Sequence, residues 1–284
     1  MTTTDALLNP LWVPGQVVID NQRTELKIDA FSRRFGELDR HDSLPRDRHP
    51  DYPELLLVTN IPEEGGKESA SKYTGQQWHS DMSFTLTPSL GSLLRGIVIP
   101  PVGGDTMFTN MYLAYDTLSD GMKTMIADLR TLSIYDKKKK RPAAMTPTAP
   151  EIDPEPYEHP LVRHHPETGR KSLFIGRHAH DIPGLDPDES QRLLDELLDF
   201  ACSPPRTFEH QWSVGDVIVW DNRCVLHSAT GGYSGHRRLM HRVTLVPMVR
   251  QTLFGPRVTI TLKDGRRFTR QATGQEFIWD FETH

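Results

Sequence analysis

WHSDMSFTLTPSLGSLLRGIVIPPVGGDT, residues 78–106, is the stretch from which the rest of this chain is best read. Gln76, Gln77 and Trp78 before His79, and Met82, Ser83 and Phe84 after Asp81, read as one strand. Side chains alternate across a strand, so His79 and Asp81 are expected on the same face. An imidazole nitrogen and a carboxylate oxygen projecting together supply two donors of a two-histidine, one-carboxylate facial triad, which leaves open positions on a ferrous ion. One more histidine must come from elsewhere. The apolar run Leu93 to Ile99, stopped by Pro100-Pro101, is the next strand, and Gly103-Gly104 turns the chain into another, Met107 to Asn110.

His-x-Asp alone is a short pattern, and the chain holds a second copy, His49-Pro50-Asp51, in a polar, proline-flanked run that reads as a solvated loop. The far end of the chain sets the first copy apart. There Trp220-Asp221-Asn222-Arg223-Cys224-Val225-Leu226-His227, followed by Arg237-Arg238-Leu239-Met240-His241-Arg242, brings a histidine and a group of arginines together.

At 284 residues the chain can form one large domain or two small ones. A net charge of -5 argues against a general polyanion binder, since nucleic-acid surfaces carry a basic excess. Cys202 and Cys224 are the only cysteines and lack Cys-x-x-Cys spacing, so neither a disulfide framework nor a thiolate zinc site is indicated. The first residues, Met1 to Asp5, lack the basic start and apolar core of a secretory signal, and no run is long enough to span a bilayer. The expected compartment is a reducing cytoplasm, with neither membrane nor nucleic acid as partner.

Working outward, Gln16 to Asp20 reads as a short strand, Glu25 to Phe35 as a helix, and 39–54 as a charged, proline-rich loop before the strand Leu55 to Thr59. Ser119 can cap a helix that buries Met122, Met125, Ile126 and Leu129. Residues 136–160 carry Lys137-Lys138-Lys139-Lys140-Arg141 and six prolines with no helix or strand pattern, the mark of a functional lid or of disorder. Leu161 to Arg163 and Ser172 to Gly176 read as two strands joined by the turn at Glu167-Thr168-Gly169. Asp186-Pro187-Asp188-Glu189 is a strong helix start whose buried side is Leu193, Leu194, Leu197, Leu198 and Phe200. Phe208 to Trp212 and Asp216 to Trp220 are expected to form a hairpin around Val214-Gly215. Beyond 250, Arg257 to Leu262 and Arg266 to Arg270, around Lys263-Asp264-Gly265, have the alternation and Asp-Gly turn of another hairpin. Periodicity by itself gives a mixed, strand-rich fold.

The sequence resembles the taurine dioxygenase and 2,4-dichlorophenoxyacetate dioxygenase family of iron(II), 2-oxoglutarate-dependent oxygenases. The matching signs, in the family's order over roughly residues 30–248, are Arg34-Phe35-Gly36-Glu37-Leu38, Trp78-His79-Ser80-Asp81, Gly103-Gly104-Asp105-Thr106, Ala114-Tyr115, His159-Pro160-Leu161-Val162-Arg163 and Trp220-Asp221-Asn222-Arg223. The resemblance implies a double-stranded β-helix (jelly roll) core flanked by helices, filling a domain over 1–250 that looks short at its amino end. Past Arg250 the match fades, and the hairpin extension, 251–284, is expected to make a subunit contact involving Trp279 and Phe281 in a homo-oligomer.

The resemblance also assigns roles. His227 becomes the third iron ligand beside His79 and Asp81; dioxygen and 2-oxoglutarate are co-substrates, and Arg238 and Thr106 hold the distal carboxylate of 2-oxoglutarate. A guanidinium suits that task because its planar fork matches a carboxylate. Arg242, four residues on along one strand, is expected on the same face as Arg238 and is the candidate anchor for a small anionic substrate. His41 aligns with a sulfonate-contacting histidine of the taurine enzyme, but Leu44 stands where that enzyme has a tyrosine, which weighs against taurine. Phe84, Tyr73, Gln76 and Gln77 are further candidates for the pocket; His178 and His180 can face it as well, though two histidines beside a strand end are more often ordinary surface or hydrogen-bonding groups.

The expected reaction is hydroxylation, with succinate and carbon dioxide released, and with C–O or C–S cleavage where the attacked carbon bears a leaving group. Two other readings compete: the same cofactor chemistry on an amino-acid-like or secondary-metabolite intermediate, by hydroxylation or desaturation, and a catalytically silent binding protein of the same fold.

Overall fold

The computed structural model describes residues 17–21, 28–33, 35–41, 47–62, 66, 69, 71, 75–135, 156–246, 250–252, 257–261, 267–273 and 276–282. In chain order the elements are β1 (Val17–Asn21), α1 (Ile28–Ser32), β2 (Leu56–Thr59), β3 (Gly91–Val98), β4 (Thr106–Asn110), α2 (Met111–Asp116), α3 (Asp120–Ile126) and β5 (Arg130–Ser133). They continue with β6 (Tyr157–Pro160), β7 (Val162–His164), β8 (Lys171–Leu173), β9 (Ala179–Asp181), α4 (Pro187–Ala201), β10 (Thr207–His210), β11 (Asp216–Asp221), β12 (Val225–Ala229) and β13 (Leu239–Leu245). β14 (Arg250–Thr252), β15 (Arg257–Thr261), β16 (Arg267–Thr273) and β17 (Glu276–Glu282) close the chain. The fold is strand-rich with few helices. No helix among the described residues is long and apolar enough to cross a membrane.

Two antiparallel sheets organise the centre, one in the order β1-β11-β3-β13-β2 and one in the order β10-β4-β12. Period-two alternation sorts their side chains. On the five-stranded sheet Leu94, Ile218, Trp220 and Met240 face inward, to a cluster completed by Phe108 and Val225 of the smaller sheet. Their neighbours Leu93, Val219 and Val243 face outward, where Ile28, Leu38 and Leu55 cover them. Trp220 and Phe108 are almost wholly buried, and their rings meet edge to face. Removing a side chain of this size from water contributes roughly 1.5–3 kcal/mol. On the other side of β12, Leu226 joins a third cluster with Leu194 and Leu197 of α4 and with α2.

The caps form as their residues dictate. Asp186 accepts the Asp188 N–H ahead of Pro187, and Ser119 accepts the Met122 N–H. Several expectations are corrected. Phe208 and Trp220 do not share a hairpin: β10 pairs with β4, whereas β11 pairs with β1 and β3. Asp216 accepts the Ser213 N–H and contacts His210 Nε2, making a turn that carries the chain from one sheet to the other. Met125 is 53% exposed, because a helix of only seven residues buries little beyond Ile126. Part of the expected structureless run is strand: β6 pairs with β5, while the lysine run falls in 136–155, outside the described residues. β7 pairs with β8 around the expected turn, and β15 pairs with β16 inside a four-stranded sheet β14-β15-β16-β17. The expected turn at Lys263-Asp264-Gly265, like the side chains of Trp279 and Phe281, lies outside the described residues.

Candidate metal centre

His79 does not sit in a long strand. It makes an isolated antiparallel bridge with His227 of β12: the His79 N–H donates to the His227 carbonyl at 3.0 Å, and the His227 N–H donates back at 2.9 Å. Residues 81–84 then turn away, with Met82 at φ +57°. The bridge sets the two imidazoles side by side, centroids 4.1 Å apart, and the turn folds Asp81 back beneath them. Strand alternation is therefore not what brings His79 and Asp81 together. His79 Nε2 lies 3.6 Å from Asp81 Oδ1, and His227 Nε2 lies 3.9 Å from Asp81 Oδ2. One donor atom from each of the three residues lies within 4.8 Å of the others, and all three residues are buried.

The protonation pattern suits a cation. His79 Nδ1 is 2.7 Å from the Gln77 carbonyl, which can only accept, so Nδ1 carries a proton and Nε2, on the side of the carboxylate, is the nitrogen placed to ligate a metal. Burial, reinforced by His79, pushes the His227 pKa well below its ordinary value and keeps that imidazole neutral. Burial alone would raise the Asp81 pKa. The Arg242 guanidinium, 3.1 Å from Oδ1, together with His227 and His79, outweighs it and holds the carboxyl well below the usual range. Two imidazoles and an ionised carboxylate facing one another fit Fe(II).

A second arrangement centres on Arg238. Arg238, 3% exposed, donates from Nε to the Gly104 carbonyl at 3.0 Å. No carboxylate among the described residues lies within ion-pair distance of it. Its seat requires glycine. At Gly104, φ +75°, an added Cβ would lie 3.1 Å from Arg238 Cδ and Nε; at Gly103, φ +66°, it would lie 2.6 Å from the Gly231 carbonyl oxygen. Thr106, inward at the start of β4, accepts the Trp212 indole N–H at 3.0 Å.

Arg242 faces inward on β13, on the same side as Met240. Arg238 precedes β13, and the register shifts between Leu239 and Met240, so the even-spacing argument for a shared face does not apply. His41, 2% exposed, has its Nε2 unpartnered, and burial followed by Arg242 lowers its pKa to about 4. Phe84 packs on Tyr135 and His178, with centroids 4.7 and 4.8 Å away. His178 is not a surface group. It is buried 6.3 Å from the His79 ring, both of its nitrogens lack partners, and burial, then His79, lowers its pKa to about 3. Gln76 is exposed, Gln77 contributes its carbonyl, and Tyr73 lies outside the described residues.

Sequence reading passed over three residues that hold Asp81. Ser92 donates to Asp81 Oδ2 at 2.6 Å, Ser89 donates to the Asp81 carbonyl at 2.8 Å, and Asn222 donates to both serines. The Asn222 position, in the Trp220-Asp221-Asn222-Arg223 run, was the available signal. A further group of donor atoms, on His165, Asp221 and Cys224, is already satisfied. Asp221 pairs with Arg223 and His165, and His165 Nδ1 accepts the N–H groups of Glu167 and Thr168. The His49-Pro50-Asp51 copy closes on itself, the Asp51 N–H donating to His49 Nδ1.

Residues 3–244 match the model of the taurine catabolism dioxygenase TauD, TfdA family. The (S)-phenoxypropionate/alpha-ketoglutarate-dioxygenase of Sphingobium herbicidovorans is 36% identical over 251 residues, 82% of this chain and 83% of that relative. Among solved structures, a taurine dioxygenase from Burkholderia xenovorans superposes with a TM-score of 0.66 at 31% identity, covering 89% of this chain and 80% of that one. AAD-2 in complex with Mn(II) and N-oxalylglycine gives 0.65 at 28% identity, covering 81% and 84%.

Proposed function

The chain belongs to the TauD, TfdA family of dioxygenases, and from that premise we propose that it hydroxylates a small aromatic anion of the aryloxyalkanoate type at the carbon beside the ether oxygen. It is an Fe(II)- and 2-oxoglutarate-dependent dioxygenase. His79, Asp81 and His227 are the metal ligands in this reading, and the bound iron supplies the oxidation, one oxygen atom entering succinate and the other the substrate. Arg238 grips the distal carboxylate of 2-oxoglutarate with its fork, and the Thr106 hydroxyl completes that grip. Arg242 and His41 receive the substrate's carboxylate. Phe84, Tyr135 and His178 wall the ring, and the neutral His178 imidazole can donate one hydrogen bond to an ether or carboxylate oxygen. The hydroxylated product, a hemiacetal, collapses to a carbonyl compound and a phenol.

The observation that carries this choice is an inward guanidinium beside Asp81 together with an aromatic cluster beside His79. The relative named for phenoxypropionate adds support. The test is succinate release on a panel of aryloxyalkanoates, sulfonates, alkyl sulfates and amino acids. Turnover of aryloxyalkanoates is expected; turnover of amino acids alone would overturn the substrate class. Anaerobic titration with Fe(II) and 2-oxoglutarate separates a working enzyme from a silent binding protein, which would develop no metal-to-ligand absorption band.

We further infer that the two facing sheets close as a double-stranded β-helix in a domain ending near residue 250, supported by their shared inner cluster. In the same reading the sheet β14-β15-β16-β17 is a subunit contact of a cytoplasmic homo-oligomer. Deleting 251–284 would then lower the mass found by light scattering.

A further inference from the structure

We propose that Asn222 is a positioning residue for the metal centre: through Ser92 it fixes the direction from which the Asp81 carboxylate is held. The proposal rests on the reading of Asp81 as a metal ligand.

The Trp220 indole nitrogen can only donate, and it lies 2.9 Å from Asn222 Oδ1. That contact settles which end of the Asn222 amide is oxygen. The opposite end, Nδ2, has two protons, and Ser89 Oγ and Ser92 Oγ lie 2.8 and 2.9 Å from it. Each hydroxyl therefore accepts from the amide and has its single proton left for another partner. Ser92 sends it to Asp81 Oδ2 and Ser89 to the Asp81 carbonyl. The Asp81 N–H points back to Asn222 Oδ1 at 3.4 Å, and Ser80 Oγ donates to the Asn222 carbonyl at 2.6 Å. One amide thus governs the backbone of Asp81 on both sides and one oxygen of its carboxylate.

Every member is out of water. Ser92 is 0% exposed, Asn222 and Trp220 2%, Ser89 3% and Asp81 4%. With no solvent to replace a lost partner, the direction of each bond is fixed by the others. The grip is also needed, because Met82, next in the chain, has φ +57°, which an unbranched side chain adopts only where its surroundings enforce it. Arg242 holds Oδ1 while Ser92 holds Oδ2. A carboxylate engaged on both oxygens cannot rotate freely, so its lone pairs toward His79 and His227 stay in one orientation. Partners of this kind tune a metal site without touching the metal.

The experiment compares four variants of the full chain by anaerobic Fe(II) titration, Co(II) absorption spectra and thermal melting. Ser92→Ala and Ser89→Ala each delete one buried hydroxyl of equal size, yet only the first releases the carboxylate. Ser92→Ala is expected to weaken Fe(II) binding by about tenfold to a hundredfold and to shift the Co(II) ligand-field bands. Ser89→Ala, which frees only the Asp81 carbonyl and leaves Ser92 on the carboxylate, should weaken Fe(II) binding several-fold less than Ser92→Ala and shift the bands less. Asn222→Leu should reproduce Ser92→Ala in affinity and spectrum. If it fails to fold, the serine pair decides alone. Equal losses in the two serine variants, or parental binding and spectrum in Ser92→Ala, would overturn the proposal. Asp81→Ala separates the two levels: unchanged Fe(II) affinity there would overturn the ligand assignment itself, whereas lost affinity with an indifferent Ser92→Ala would overturn only the role of Asn222.

Discussion

Replacing Arg238 by alanine should raise the dissociation constant for 2-oxoglutarate by about a hundredfold, a figure that follows from burial and pre-organisation. Arg238 is 3% exposed, and its Nε is already committed to the Gly104 carbonyl, so the terminal nitrogens meet a ligand without first having to be ordered. Charge-assisted bonds contribute roughly 1.5–3 kcal/mol each. Breaking a buried pair by removing one partner costs about 3–5 kcal/mol. At about 1.4 kcal/mol per decade, the lower end of that range gives the hundredfold rise. The charge does only part of this. Arg238→Lys keeps the charge and loses the planar fork, so it should fall between the parent and the alanine variant.

The assay is the anaerobic absorption band of the iron complex, titrated with 2-oxoglutarate at saturating Fe(II), which reads binding apart from turnover. Arg242→Ala is the control. It empties the position proposed for substrate and takes a counter-charge from Asp81, so at saturating Fe(II) it should shift the 2-oxoglutarate constant far less than Arg238→Ala does. Equal shifts in the two arginine variants would refute the division of labour between them.

Gly104→Ala should lower the melting temperature and weaken 2-oxoglutarate binding together, since a Cβ at φ +75° costs about 1–3 kcal/mol in backbone strain and also presses on Arg238; normal co-substrate affinity would refute the link. His178→Leu should raise KM for an aryloxyalkanoate while leaving the 2-oxoglutarate constant unchanged, and the two constants moving together would count against a substrate contact. Acid should destabilise the fold through His159, whose pKa burial lowers to about 4. The unfolded chain takes up this proton near the ordinary histidine value and the folded chain does not, so stability is fully present above about pH 6.5 and is lost as pH falls toward 4. At pH 5.5 the loss from one such group is about 1.4 kcal/mol. Urea melts of His159→Gln should show a shallower decline between pH 7 and 5.5, and an identical decline would refute it.

What could be read in the sequence, and what could not, divides along a physical line. The cap at Asp186-Pro187 and the apolar run at Leu93 are local signals, and both elements form where they stand. The partner of a strand is not local. Phe208 to His210 and Asp216 to Trp220 look like a hairpin because they are close in sequence, yet Asp216 turns the chain between sheets and each strand pairs elsewhere. Burial of polar groups is equally non-local. His178 reads as a surface residue beside a strand end, and only the packing of Phe84 and Tyr135 takes it out of water. Asn222 is marked in the sequence only by its place in the Trp220-Asp221-Asn222-Arg223 run, because its partners are two serines more than a hundred positions earlier.

The same division explains why the His79, Asp81 and His227 cluster could be anticipated for a mistaken reason. His79 and Asp81 meet because a single bridge to β12 ends at His79 and a turn follows, whereas a continued strand would have carried Asp81 onward along the sheet. The turn is held from the five-stranded sheet, by Ser92 of β3 and Arg242 of β13, while His227 comes from the smaller one. The donor set therefore spans the space between two sheets and exists only when both are in register. A one-residue slip of β13 against β3 would turn Arg242 to the outer face and leave the buried Asp81 carboxylate without its counter-charge. Arg242 thus ties the register of the sheet to the ionisation of Asp81, and an anion reaching for the same guanidinium would meet a group already paired with that carboxylate.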